Sequence, residues 1–285
     1  MYSFPIGVIL HSLRKSVPEA LDIVKSLGAQ GIQVYGASGA VSPCMPDQKR
    51  REFLAEVKAR GLTISAVCGD LGHGFGESGM NAKLLSDTKR ILDFALELGT
   101  NIVTTHIGVV PSDTSHPRFR IMRDACGELA RYADDAGAKF AIETGPEPAD
   151  VLKVFLDSLH STGVSVNLDP ANLVMVPADD PVRAVYTLKD YIVHTHAKDG
   201  RQLFFRDPEV IYGVARLEPN EAVSESFIEV PLGEGQVDFP AWIKALDDIG
   251  YRGFLTIERE VGPSPVEDIT RAVKFLKGIL NGERA

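Results

Sequence analysis

The sequence reads as an α/β fold, a single (β/α)8 TIM barrel with a long loop after its seventh strand. Short β-rich apolar runs alternate with longer amphipathic segments along the whole chain. Eight of each occur, and strict alternation implies parallel strands joined by right-handed crossovers. The 285 residues match a closed barrel of about 250 residues with room for one insertion. An open doubly wound sheet is the alternative that the same alternation allows. No composition shift marks a second domain, so residues 1–285 read as one barrel domain.

Strands are expected at 4–10, 31–35, 62–68, 101–107, 138–143, 164–168, 191–196 and 253–258, each a short apolar run. The first helix carries Pro18 near its start and Gly28 at its end. The second, 47–60, opens after Pro46 and stops at Gly61. The third, 81–98, gathers Leu84, Leu85, Ile91, Leu92, Phe94, Ala95 and Leu98 near one face. Further helices fit 117–136, 148–161, 181–189, 239–249 and 265–281. Residues 198–238 form a connection far longer than a usual βα loop. Because it follows a strand, this structureless loop is expected over the carboxyl face of the barrel, as a lid or binding loop.

Composition narrows the function. Lys plus Arg is 30 and Asp plus Glu is 39, a net charge of −9. That opposes non-specific binding to nucleic acid or an anionic membrane. Cys44, Cys68 and Cys126 form no zinc or redox spacing and read as reduced thiols. The N-terminal apolar run lacks a basic stretch before it and reads as a buried strand, not a signal peptide. No apolar stretch approaches the ~20 residues of a membrane span. A cytoplasmic enzyme or binding protein is expected. The glycine-rich 69–79 lacks the Gly-Lys-Ser/Thr of a phosphate-binding loop.

Four polar residues stand where strands five to eight end: Glu143, Asp169, His196 and Glu258. Each follows an apolar run. Adjacent parallel strands lie ~4.8 Å apart, so side chains at one level of neighbouring strands can converge. Three carboxylates would repel in a dry barrel mouth, and a divalent cation removes the conflict. Three oxygens and an imidazole nitrogen suit one divalent metal ion: Mn²⁺ first, with Mg²⁺, Co²⁺ or Zn²⁺ as alternatives. His194, two residues before His196, points the same way but deeper and reads as a core histidine. His106, at the end of strand four, and Lys198, just past strand seven, are candidate substrate contacts. His11 has a weaker claim of the same kind. Trp242 reads as packing.

These motifs carry a resemblance. The segments AIETG (141–145), NLDPANL (167–173), HTHAKDG (194–200), VPLGEGQVDFPAW (230–242) and FLTIERE (254–260) resemble the xylose-isomerase-like barrels. That superfamily includes ketose 3-epimerases, sugar-phosphate isomerases and epimerases, inosose dehydratases and the endonuclease IV type of repair enzyme. The resemblance spans essentially the whole chain. It implies that Glu143 and Glu258 bind metal and act as opposed acid and base, with Asp169 and His196 as the other ligands. The ketose 3-epimerases carry a His three residues after the strand-six Asp, where this chain has Asn172, here a further candidate substrate contact. Their strand-seven Arg has only Arg201 as a counterpart, out of register. The three-zinc ligands of the repair enzymes are missing: the third strand ends in VCGD, and Phe227 and Glu229 replace an Asp-x-His pair.

The resulting expectation is a metal-dependent isomerase or epimerase of a keto-sugar or polyol derivative, working through an enediolate. The metal polarises a carbonyl, one carboxylate removes the adjacent proton, and the other returns one. A dehydratase or lyase on the same site is the first alternative. A non-catalytic sugar-binding barrel is an alternative of another class. The expected partner is a small carbohydrate, not nucleic acid or membrane. A homo-oligomer is in keeping with the look-alikes, which form dimers and tetramers.

Overall fold

The computed structural model describes residues 1–215 and 226–283. Residues 216–225, within the expected insertion, and 284–285 lie outside the described residues. Eight parallel strands close into a barrel: β1 (Ile6–Ile9), β2 (Gly31–Tyr35), β3 (Thr63–Cys68), β4 (Ile102–Thr105), β5 (Lys139–Glu143), β6 (Val164–Leu168), β7 (Ile192–Ala197) and, past an excursion, β10 (Leu255–Ile257). Around the ring β10 lies between β7 and β1, so the order follows the chain. Helices α1 (Val17–Ser26), α2 (Asp47–Ala59), α3 (Ser78–Glu97), α4 (Pro117–Ala136), α5 (Ala149–Asp157), α7 (Pro181–Thr187), α9 (Phe239–Asp248) and α10 (Pro265–Asn281) alternate with the strands. Seven start with Pro at the first or second helical position, or with an acid in the first turn, or both, the signals that place helix starts. The core lies between strands and helices, with Trp242, Phe94, Phe140 and Phe155 fully buried there.

Three local expectations need correction. β1 ends at Ile9, and Leu10–Leu13 coil into a 3₁₀ turn, so His11 sits on that turn and not on a strand. A short helix α6 (Pro170–Met175) follows β6 directly, because Asp169 caps its first turn and Pro170 occupies its start. The excursion after β7 is not structureless. It contains β8 (Asp199–Gln202), the one-turn helix α8 (Pro208–Ile211) and β9 (Phe227–Val230), with β8 and β9 paired antiparallel.

The strand ends are also staggered rather than level. Glu143 pairs across the sheet with Asn167, and His196 with Thr256. Asp169 and Glu258 therefore project two residues further along their own strands. This is the slant that a closed barrel imposes on its strands, and it makes Asn167 and Thr256 part of the layer below the rim.

Two buried carboxylates brace the carboxyl face. Asp199 accepts hydrogen bonds from the backbone N–H groups of Gly200 (2.9 Å), Gly233 (3.0 Å), Gly235 (2.9 Å) and Val237 (3.2 Å). It clasps the start of the excursion to its return. Gly235 is required there, since a Cβ would fall 1.9 Å from Asp199 Oδ1. Glu147, in the loop after β5, accepts from the Val110 N–H at 3.2 Å and so ties that loop to the one after β4. Burial pushes its carboxyl up to about 8.

Asp199→Ala should lower folding stability by about 3 kcal/mol, because several buried N–H groups lose their acceptor. Urea midpoints of the variant and of Asp199→Asn would measure it, and a loss below ~0.5 kcal/mol would remove the clasp. Glu147 makes a pH-dependent contribution. Its folded pKa lies above the unfolded value, so the native state holds the proton. Its favourable contribution is complete below about pH 4.5 and is lost as pH rises to about 8. Glu147→Gln, which mimics the protonated acid, should gain stability over wild type from pH 5 to pH 9. Melting curves with a pH-independent difference would contradict this.

Candidate metal centre and substrate cavity

Four strand-end residues meet at the carboxyl face. Glu143, Asp169, His196 and Glu258 each present one ligand-type atom, and these atoms all lie within 4.8 Å of one another. His196 Nδ1 is 3.2 Å from Glu258 Oε2, 3.4 Å from Glu143 Oε1 and 3.5 Å from Asp169 Oδ2. The group is buried: Asp169 is 0% exposed, His196 1% and Glu143 6%. Glu258 is the most open, with 14% of its side chain accessible.

The surroundings aim these atoms. His196 Nε2 lies 2.9 Å from Gln33 Oε1, which can only accept, and this contact turns Nδ1 toward the carboxylates. The Gln33 amide donates in turn to Thr104 Oγ1 at 2.9 Å. Asp169 divides its two oxygens. Oδ1 accepts the Asn172 N–H (3.0 Å) as the cap of α6, while Oδ2 is buried with no hydrogen-bond partner. Thr144 Oγ1 holds the Asp169 backbone, accepting its N–H (2.8 Å) and donating to its carbonyl (2.9 Å). Glu143 accepts from Asn167 Nδ2 (3.1 Å) at one oxygen and from Asn172 Nδ2 (3.2 Å) at the other.

Electrostatics in this pocket favour an added cation. Burial alone would raise Glu258, but Lys198, at 3.2 Å, and His196 outweigh it and hold its carboxyl well below the usual range. Burial raises Asp169 despite Lys198. Burial would lower His196, yet Glu258 and Glu143 drive it well above its ordinary value. Lys198 offsets one of the three carboxylates and also meets Glu260 at the rim. A divalent cation would offset the remainder.

The donor set fits such an ion. Nitrogen and oxygen ligands at about 2.0–2.3 Å from a common ion stand roughly 3–4.5 Å apart, and the three carboxylates stand 3.2–3.5 Å from His196 Nδ1. The unpartnered Asp169 Oδ2 is a buried acceptor that nothing in the protein satisfies. A buried charge without a partner is costly, so an ion is the natural complement.

The other expected residues surround the cluster. His106 Nε2 stands 3.7 Å from Glu143 Oε1, with its Nδ1 buried and unpartnered. Asn172 is in contact with Glu143, and Lys198 with Glu258. His106, Asn172 and Lys198 line a cavity of about 660 Å³, together with Arg206 and Tyr212 from the excursion. His194 lies deeper, its Nδ1 2.8 Å from Asn167 Oδ1, as a core position requires. His11 is on the opposite flank of Glu258, in a separate cavity of about 510 Å³. Trp242 is wholly buried.

Gln33, Thr144, Asn167 and Tyr212 were not singled out from the sequence. A lone glutamine inside the apolar run GIQVY was the available signal for Gln33. Asn167 and Thr144 sat unread inside NLDPANL and AIETG. Tyr212 had no such signal. Among the described residues no helix is long and apolar enough to cross a membrane.

Known proteins are similar to this chain to different degrees. The chain is 38% identical over 236 residues to the inosose dehydratase of Klebsiella pneumoniae (strain 342), covering 75% of this chain and 76% of that protein. It is 26% identical over 168 residues to the inosose dehydratase of Clostridium beijerinckii, covering 56% of this chain and 54%, about half, of that protein's length. A crystal structure of a xylose isomerase domain protein from Planctomyces limnophilus superposes with a TM-score of 0.79 at 26% identity, covering 99% of this chain and 98% of that one. The family model described as "Xylose isomerase-like TIM barrel" matches residues 21–279. With a closed eight-stranded barrel and a match over nearly its whole length, this chain belongs to the xylose isomerase-like TIM barrel family.

Proposed function

We propose that this chain is a divalent-metal-dependent enzyme that removes the proton beside the carbonyl of a keto-polyol and then expels water. The observation that carries the reading is the buried four-residue cluster with its unpartnered Asp169 Oδ2. The inosose dehydratase name of the Klebsiella relative supports water loss as the outcome.

Glu143, Asp169, His196 and Glu258 would hold the ion, which when bound polarises a carbonyl oxygen and acidifies the neighbouring C–H. The rest falls to the protein. Glu143 on β5 and Glu258 after β10 are separated by β6 and β7, so they reach the same point from opposite flanks. Lys198 keeps Glu258 ionised and thus able to accept a proton. Asn172 and Asn167 hold both oxygens of Glu143. His106 and Lys198 face the cavity and would bind substrate hydroxyl or carbonyl groups. The barrel floor excludes water beneath the cluster, which strengthens each of these interactions.

Epimerisation or isomerisation is the second reading. The opposed carboxylates favour it, since one can remove a proton and the other return it to the opposite face.

Metal analysis of protein purified without chelator should find about one equivalent of Mn, Mg, Co or Zn in wild type. Glu258→Gln and Asp169→Asn should retain far less. Wild type that takes up no divalent ion on reconstitution would overturn the reading and favour a sugar-binding barrel. In D₂O, an inosose should lose water to an unsaturated or deoxy ketone. Solvent deuterium in recovered substrate or epimer, without that product, would select the second reading. Glu143→Gln should lower either activity by at least ~100-fold, as loss of a general acid or base does.

A further inference from the structure

The excursion after β7 brings side chains into the cavity that the reaction scheme leaves without a role, Tyr212 among them. Tyr212, just past α8, packs its ring edge-on against His106, with centroids 6.4 Å apart. Its hydroxyl group sits over Gly145, two residues past Glu143. A Cβ on Gly145 would stand 2.9 Å from that oxygen and 3.8 Å from Asn172 Nδ2. Asn172 Nδ2 in turn contacts Glu143 Oε1, as does His106 at 3.7 Å. His106 and Asn172 thus meet one carboxylate oxygen, and Tyr212 packs against His106 in the same cavity.

Two features distinguish Tyr212 from a packing residue. Among the described residues its hydroxyl makes no hydrogen bond, unlike those of Tyr132, Tyr186, Tyr191 and Tyr251, and of the tyrosines whose hydroxyl group lacks one it is the one that lines this cavity. The glycine beneath it is the one residue type that leaves the hydroxyl room. Helix α8 is also anchored, through the ion pair of Glu209 with Arg118 of α4. Burial, with Glu147 and Glu143 nearby, raises the phenol far above its usual range, so it stays a hydrogen-bond donor.

We propose that Tyr212 is a substrate-contacting residue, whose hydroxyl donates a hydrogen bond to a substrate hydroxyl group on the Glu143 side of the site. The proposal rests on the keto-polyol reading given above. It assigns to the excursion a direct part in selecting a polyhydroxylated substrate, since an unmatched phenol in this pocket disfavours ligands without an oxygen there.

Calorimetric titration with myo-inositol tests it. This cyclic polyol offers the hydroxyl groups but no carbonyl, so binding is read without turnover, with metal and after chelation. Tyr212→Phe keeps the ring against His106 and removes only the hydroxyl. It should weaken binding by roughly tenfold, one hydrogen bond's worth. Gly145→Ala should weaken it in the same direction by displacing the hydroxyl. Melting temperatures within ~2 °C of wild type would show that both variants fold. Equal affinities in wild type and Tyr212→Phe, or no uptake by wild type, would overturn the proposal. Weakened binding in Tyr212→Phe without proton exchange or water loss in wild type would defeat the reaction scheme and leave the contact standing. Catalysis by wild type with unchanged affinity in Tyr212→Phe would do the reverse.

Discussion

The burial of three carboxylates and one imidazole at a single point is the constraint on which the carboxyl face is built. Like charges in a dry pocket are unfavourable, and each must be held against its neighbours by something rigid. The barrel wall supplies that rigidity, because Glu143 and His196 lie on hydrogen-bonded strands and Asp169 and Glu258 one residue past theirs. The polar side chains around them then do specific tasks. Gln33 sets which imidazole nitrogen faces the carboxylates, Thr144 pins the Asp169 backbone, and the α6 cap occupies one Asp169 oxygen so that the other stays available. Orienting partners of this kind tune both geometry and basicity.

Much of this was legible in the chain. Ionisable residues directly after buried apolar runs mark the carboxyl rim of a barrel, and the four cluster members were readable on that ground. His106 and Lys198 followed from the same logic and Asn172 from the resemblance to the ketose 3-epimerases, and the structure brings all three to the cavity. The stagger was not readable, because alternation fixes which face a side chain points to but not the slant between strands. Gln33 was missed for a related reason. It meets His196 across the barrel interior, 163 residues away, and local pattern contains nothing about such a pairing. The excursion looked featureless since a four-residue hairpin strand rich in polar groups, such as DGRQ, carries no alternation.

The division of labour follows the chain's own division into strands and connections. The four cluster residues come from the wall, where position is tightly defined. Tyr212 and Arg206 come from the excursion, held in place by the Glu209–Arg118 pair and by the β8–β9 pairing. One part of the molecule holds the cluster and another lines the cavity beside it.

The Asp199 clasp gives this division a further meaning. Because one carboxylate joins Gly200 to Gly233, Gly235 and Val237, the excursion leaves and re-enters the barrel at nearly the same place. Closing a chain at its base makes the entropic penalty of lengthening it grow only logarithmically. Segments between Gln202 and Phe227 could therefore be exchanged, extended or trimmed as a cassette, with little strain passed to the strands below. A protein built this way can change the lining of its cavity by swapping one stretch of sequence, while the four-residue cluster on the strands is inherited unaltered.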